Sequence, residues 1–104
     1  NREGTTSLIE RQLFRSSALG ADLETVSQVE ADLLKIRSGV KILRVTGGLV
    51  QRLNIEEGFI VTSINGRSIQ NPSELEQILT RIRGKVRIEG VNERGMKGYY
   101  SFYF

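Results

Sequence analysis

The segment Phe59-Ile60-Val61-Thr62-Ser63-Ile64-Asn65-Gly66 constrains the fold more than any other part of the chain. A nearly unbroken apolar and β-branched run predicts a central strand covered on both faces, since a strand with one wet face would alternate. Asn65-Gly66 ends it. Both residues tolerate the positive φ angles of a type I′ turn, so a tight hairpin into Ser68-Ile69 is expected. Shortly after comes Asn71-Pro72-Ser73-Glu74, the strongest helix start in the chain: an N-cap, Pro at the first helical position and Glu reaching back from the third. The helix should run to about Ile82, with Leu75, Ile78, Leu79 and Ile82 forming one apolar stripe at helical spacing.

The rest of the chain is organised around this unit. Residues 1–17 are polar, with Leu8-Ile9 and Leu13-Phe14 as apolar pairs between charges. They read as a linker from a preceding domain whose apolar pairs could dock on the body or on a neighbour. Leu19, Ala21 and Leu23 alternate with Asp22 and Glu24, predicting a half-buried strand over about 20–26. Ser27 with Glu30 is a capping box opening a short helix that carries Leu33, Leu34 and Ile36 and closes near Gly39. Gly39 to Val45 reads as a strand whose inward set slips phase from Val40 and Ile42 to Leu43 and Val45, which a bulge explains. A second short helix is expected over 48–53. After Gly84, Val86, Ile88 and Val91 alternate with Arg87 and Glu89. A turn at Asn92 to Gly95 then leads into a last strand carrying Tyr100, Phe102 and Phe104, and these two strands form a hairpin.

Composition narrows the chemistry. The 104 residues, 38% of them hydrophobic, suffice for one core of ordinary size, which makes residues 18–104 a single domain. No stretch approaches the ~18 consecutive apolar residues of a membrane span, so a soluble globular fragment is expected. The chain starts at Asn1 with no apolar signal core and reads as part of something longer. His and Cys are both zero. That removes the imidazole general base, the thiolate nucleophile, disulfides and the usual zinc ligand sets, so no catalytic residue, metal or cofactor is expected. Glu56-Glu57 and Glu74/Glu76 read as solvated surface charge rather than as paired catalytic carboxylates. The net charge of +3 is spread among acids without a run of like charges, and no nucleic-acid signature accompanies it.

Four pieces of this order resemble the PDZ domain of HtrA/Deg-family serine proteases. They are Gly39-Val40-Lys41-Ile42, the span Glu57 to Gly66, the helix from Ser73-Glu74-Leu75 to Leu79, and the closing hairpin. Gly58-Phe59-Ile60-Val61-x-x-Ile64-Asn65-Gly66 is the most specific of these. It is similar to the family's Gly-Asp-x-Ile-x-x-Ile-Asn-Gly, with Phe59 in place of Asp. Gly47-Gly48-Leu49-Val50-Gln51 departs from the family's Gly-Ser-Pro-Ala-Ala. The resemblance covers residues 18–104 and implies an α+β, mainly β fold. That fold is a partly open β-barrel or sandwich of roughly five to six strands, capped by one principal helix and one or two short ones. It further implies the second, C-terminal PDZ domain of a serine endopeptidase of the periplasm or cell envelope. The expected partners are the protease domain and the other PDZ domain of the same chain, in a homo-oligomer. No position here matches a triad member, so this segment is expected to be non-catalytic.

The resemblance also implies a slot between a strand edge and the principal helix, where an extended C-terminal or unfolded segment adds as another strand. The edge would be Asp22 to Val26, including Leu23 and Glu24. Ala18-Leu19-Gly20-Ala21 is the sole candidate for the carboxylate loop, with Leu19, Gly20 and Ala21 donating backbone N–H groups; alternatively, Gly20 merely starts a strand. On the helix, Leu79 would line the pocket and Glu76 and Thr80 its rim, with ordinary core packing as the other reading. Arg15 either assists a carboxylate or is simply solvated. The aromatics Tyr99, Tyr100, Phe102, Tyr103 and Phe104 divide between core and interface. Two functions follow: a module that captures polypeptide for an attached protease, or an assembly or spacer domain with a vestigial groove.

Overall fold

A computed structural model describes residues 13–103. Among them are seven strands and three helices: β1 (Phe14–Ser16), β2 (Ala21–Thr25), α1 (Gln28–Leu34), β3 (Val40–Val45), α2 (Gly48–Arg52), β4 (Ile60–Ile64), β5 (Arg67–Ser68), α3 (Pro72–Arg81), β6 (Lys85–Val91) and β7 (Lys97–Tyr103). The strands form one antiparallel sheet in the order β1-β2-β3-β4-β6-β7, with β5 paired to β4, and the sheet does not close on itself. The α+β, mainly β architecture with one principal helix matches expectation. The sheet has more strands than expected because β1 falls within the segment read as linker, of which residues 1–12 lie outside the described part.

Local chemistry explains most boundaries. Asn71 caps α3 by accepting from Glu74 N at 2.8 Å, while the Glu74 carboxylate accepts from Gln70 N at 2.9 Å, so the reciprocal box closes one residue earlier than in its usual form. Ser27 caps α1 by accepting from Glu30 N at 3.1 Å, while the Glu30 carboxylate, expected to reach back and close a box, pairs with Lys41 Nζ at 2.6 Å. α1 stops at Leu34 because Lys35 turns left-handed at φ 60, well short of Gly39. Ile36 N–H then folds back onto the Ala31 carbonyl. With Ala31 and Leu34 on the inward face, Leu33 falls on the outward side of α1 at 77% exposure, contrary to its expected place in the helix's apolar set. Asn65 (φ 51) and Gly66 (φ 82) make the two-residue turn that pairs Ile64 with Arg67.

Two bulges set the phase of the sheet. Asp22 pairs with Arg44 but Leu23 with Ile42, so Leu43 is the extra residue in β3 behind the slip visible in its sequence. Val61 pairs with Gly90 and Ser63 with Glu89, making Thr62 the extra residue in β4. This allows Val61 and Ile64 to enter the same core despite their odd spacing. That main core lies beneath α3 and gathers Leu23, Ile42, Val61, Ile64, Leu75 and Ile88 among others. Ile60 points the opposite way, into a smaller cluster with Val26, Ala31 and Val91 beside α1. β4 is therefore covered on both faces, as its apolar run requires. Tyr100 and Phe102 pack against the main core, with the Tyr100 ring edge-on to Phe59 at 5.3 Å between centroids. Tyr99 and Tyr103 face outward.

Candidate functional site

The expected slot residues come together at one corner, where α3 packs against β1 and β2. Leu19, Ala21 and Leu23 are buried to 1% exposure or less and belong to the main core. Leu75 and Leu79 meet them from α3, each almost fully buried. Leu79 therefore serves the core, while its remaining surface lines a shallow cleft of about 350 Å³ with Ala18, Thr80 and Arg83. Thr80 is exposed on that rim and donates to the Gln77 carbonyl at 2.9 Å. Glu24 lies half-buried further along β2.

The strand border read as open is taken at its first two residues. Over residues 21–23, β2 pairs on one side with β3 and on the other with β1, in the register Phe14↔Leu23, Arg15↔Asp22 and Ser16↔Ala21. The edge expected from Asp22 onward is thus filled at Asp22 and Leu23 by the chain's own residues. The reason is geometric: residues 17–20 form a turn short enough to lay residues 14–16 back along β2.

The amides read as carboxylate donors are likewise engaged by β1. Leu19 N–H donates to Ser16 Oγ at 3.1 Å, and Gly20 N–H donates to the Ser16 carbonyl at 2.9 Å. Ala21 pairs with Ser16 across the hairpin. Gly20 does adopt the left-handed conformation that its role as a turning point needs, at φ +77. Its carbonyl accepts from Thr46 N at 2.8 Å and Gly47 N at 3.1 Å, while Leu19 O accepts from Val50 N at 2.9 Å. The loop is thereby fastened to the start of α2.

Side chains continue the bracket. Ser16, 1% exposed, donates its hydroxyl to Glu76 Oε1 at 2.5 Å, and the exposed Ser17 hydroxyl donates to Oε2 at 3.4 Å. Glu76 is therefore the acceptor on α3 for the Ser16 and Ser17 hydroxyls, more than a rim residue. Arg15 pairs with Asp22 through Nε–Oδ1 at 3.2 Å, with an 84% exposed side chain against 13% for Asp22. This surface pair contributes about 0–1 kcal/mol and gives Arg15 a partner within the hairpin.

Ser16, Ser17 and Phe14 were not singled out as site residues from the sequence. The signal available was the alternation of Phe14 and Ser16 ahead of an apolar-Gly turn, a strand of three residues that periodicity alone does not resolve. Chemically, the corner holds an extended backbone by strand pairing, by a carboxylate that receives hydroxyls and by an apolar floor, and β1 is the segment held there. Among the described residues no group of three or more His, Cys, Asp or Glu could hold a metal ion. No described helix is long and apolar enough to cross a membrane. Compared with protein-family models, with curated proteins and with solved structures, the chain has no significant match.

Proposed function

We propose that this chain is a non-catalytic, PDZ-like polypeptide-binding module that takes an extended segment as an added strand along β2, against α3. The observation that carries this reading is the corner itself. A strand lies there antiparallel to β2, held at its end by Leu19 and Gly20 N–H groups and by Glu76. Main-chain pairing of that kind is indifferent to side-chain identity, which suits capture of varied unfolded or C-terminal segments. The resemblance of residues 18–104 to HtrA/Deg-family PDZ domains extends the proposal to a role beside a serine endopeptidase in the cell envelope, within a homo-oligomer.

The test is a fluorescence-anisotropy titration of a labelled apolar peptide with a free C-terminus. Thr80→Arg, on the exposed rim of the cleft that Leu79 lines, should weaken saturable binding at least about fivefold, whereas Arg94→Ala at the far turn should leave it unchanged. Equal binding by all three proteins, or no saturation, would remove the slot.

A second reading is an assembly or spacer domain. The occupied border over residues 21–23 favours it, as do the exposed Tyr99 and Tyr103, at 64% and 77%, on the last described strand. Comparing the oligomeric state of a longer parent chain with and without residues 18–104 separates the two.

A further inference from the structure

Resting on the binding reading, we propose that β1 is a built-in competitor for the slot, and that the segment displacing it has an apolar residue two positions before a small hydroxyl or basic side chain. Three observations lead there. First, β1 occupies the place of an added strand, with Phe14 and Ser16 across from Leu23 and Ala21. Second, the contacts it makes are those a guest would need: Phe14 packs half-buried against the main core, Ser16 gives its hydroxyl to Glu76, and the Ser16 carbonyl receives Gly20 N–H. Third, the strand is short and borders solvent. The strand spans three residues, and Leu13 and the Arg15 side chain beside it are exposed at 61% and 84%.

The physics of competition follows from the tether. A segment joined to its own site by a short turn acts at a high effective concentration, so an outside peptide binds only in the fraction of molecules where β1 has lifted. A three-residue strand at the border of the sheet, paired on one side only, is the kind of element that opens locally without global unfolding. The sequence Phe14-Arg15-Ser16 is also a template for the guest. The Phe14 place is apolar, the Arg15 place faces out beside Asp22, and the Ser16 place faces the Glu76 carboxylate. A guest Ser, Thr or Lys there keeps a donor to that carboxylate, whereas Asp sets like charges together.

The experiment uses the full 104-residue chain and a fluorescein-labelled synthetic peptide copying residues 12–18, Gln-Leu-Phe-Arg-Ser-Ser-Ala. Arg15→Cys with Asp22→Cys places a thiol pair directly across the hairpin in a protein with no other cysteine. Oxidation pins β1 and reduction frees it. Phe14→Ala with Ser16→Ala weakens the strap instead, and circular dichroism checks that both variants are folded.

The oxidised form should bind at least about tenfold more weakly than its own reduced form, and the weakened variant at least about tenfold more tightly than the parent chain. Exchanging the probe's first Ser for Asp should abolish the gain. Equal binding by oxidised and reduced forms, or failure of the cysteine pair to oxidise, would overturn the competitor while leaving peptide binding to be located elsewhere. Absence of binding in every form, the folded weakened variant included, would overturn the binding reading itself.

Discussion

Gly20→Ala tests whether the corner is held by close backbone approach. A Cβ built on Gly20 would lie 2.0 Å from the Gly47 carbonyl oxygen, 2.5 Å from its carbon and 3.0 Å from Gly48 Cα, all of them backbone atoms. That backbone cannot step aside without cost, because Thr46 N and Gly47 N both donate to Gly20 O, and Val50 N donates to Leu19 O. Two terms add: about 1–2 kcal/mol for placing Ala at φ +77, and about 1–3 kcal/mol for forcing packed groups apart. Their sum, about 2–5 kcal/mol, is a large share of the roughly 5–15 kcal/mol that a folded domain has. Gly66→Ala supplies the control: its φ is +82, yet a Cβ there meets nothing within 4 Å, so only the first term applies. Urea titrations followed by circular dichroism should show a midpoint loss for Gly20→Ala about twice that for Gly66→Ala, with unchanged slopes. Equal losses would refute the close-approach argument and leave only the backbone angle.

Leu75→Ala, at a position with 0% exposure on the inward face of α3, should cost about 2–5 kcal/mol in the same titration through lost burial and the cavity left behind. Asn71→Ala removes the acceptor for Glu74 N and should cost about 1 kcal/mol, seen as a drop in melting temperature of about 4–8 °C.

What the sequence made legible was whatever short-range chemistry decides. The capping side chains of Ser27 and Asn71 and the Asn65-Gly66 turn act within a few residues, and the structure places all three as read. The bulge at Leu43 was visible because it breaks an alternation. The second, at Thr62, was hidden inside an apolar run that has no alternation to break. β1 escaped because a three-residue strand has no stable pattern of its own and exists through pairing with β2. The candidate site was legible as a location, since β2, the Gly20 loop and α3 do converge. Its occupancy was not, because whether Leu19 and Gly20 N–H groups are open or used depends on where Ser16 lands. Likewise the stripe on α3 identified its inward face, but could not rank Leu79 between floor and pocket wall.

Successive residues of one strand, Ile60 and Val61, belong to opposite clusters, and the two apolar layers therefore share a common wall. Neither layer can be dismantled without stripping support from its counterpart. Uncovering either cluster exposes the strand that walls the other, which couples the loss of one to the loss of both.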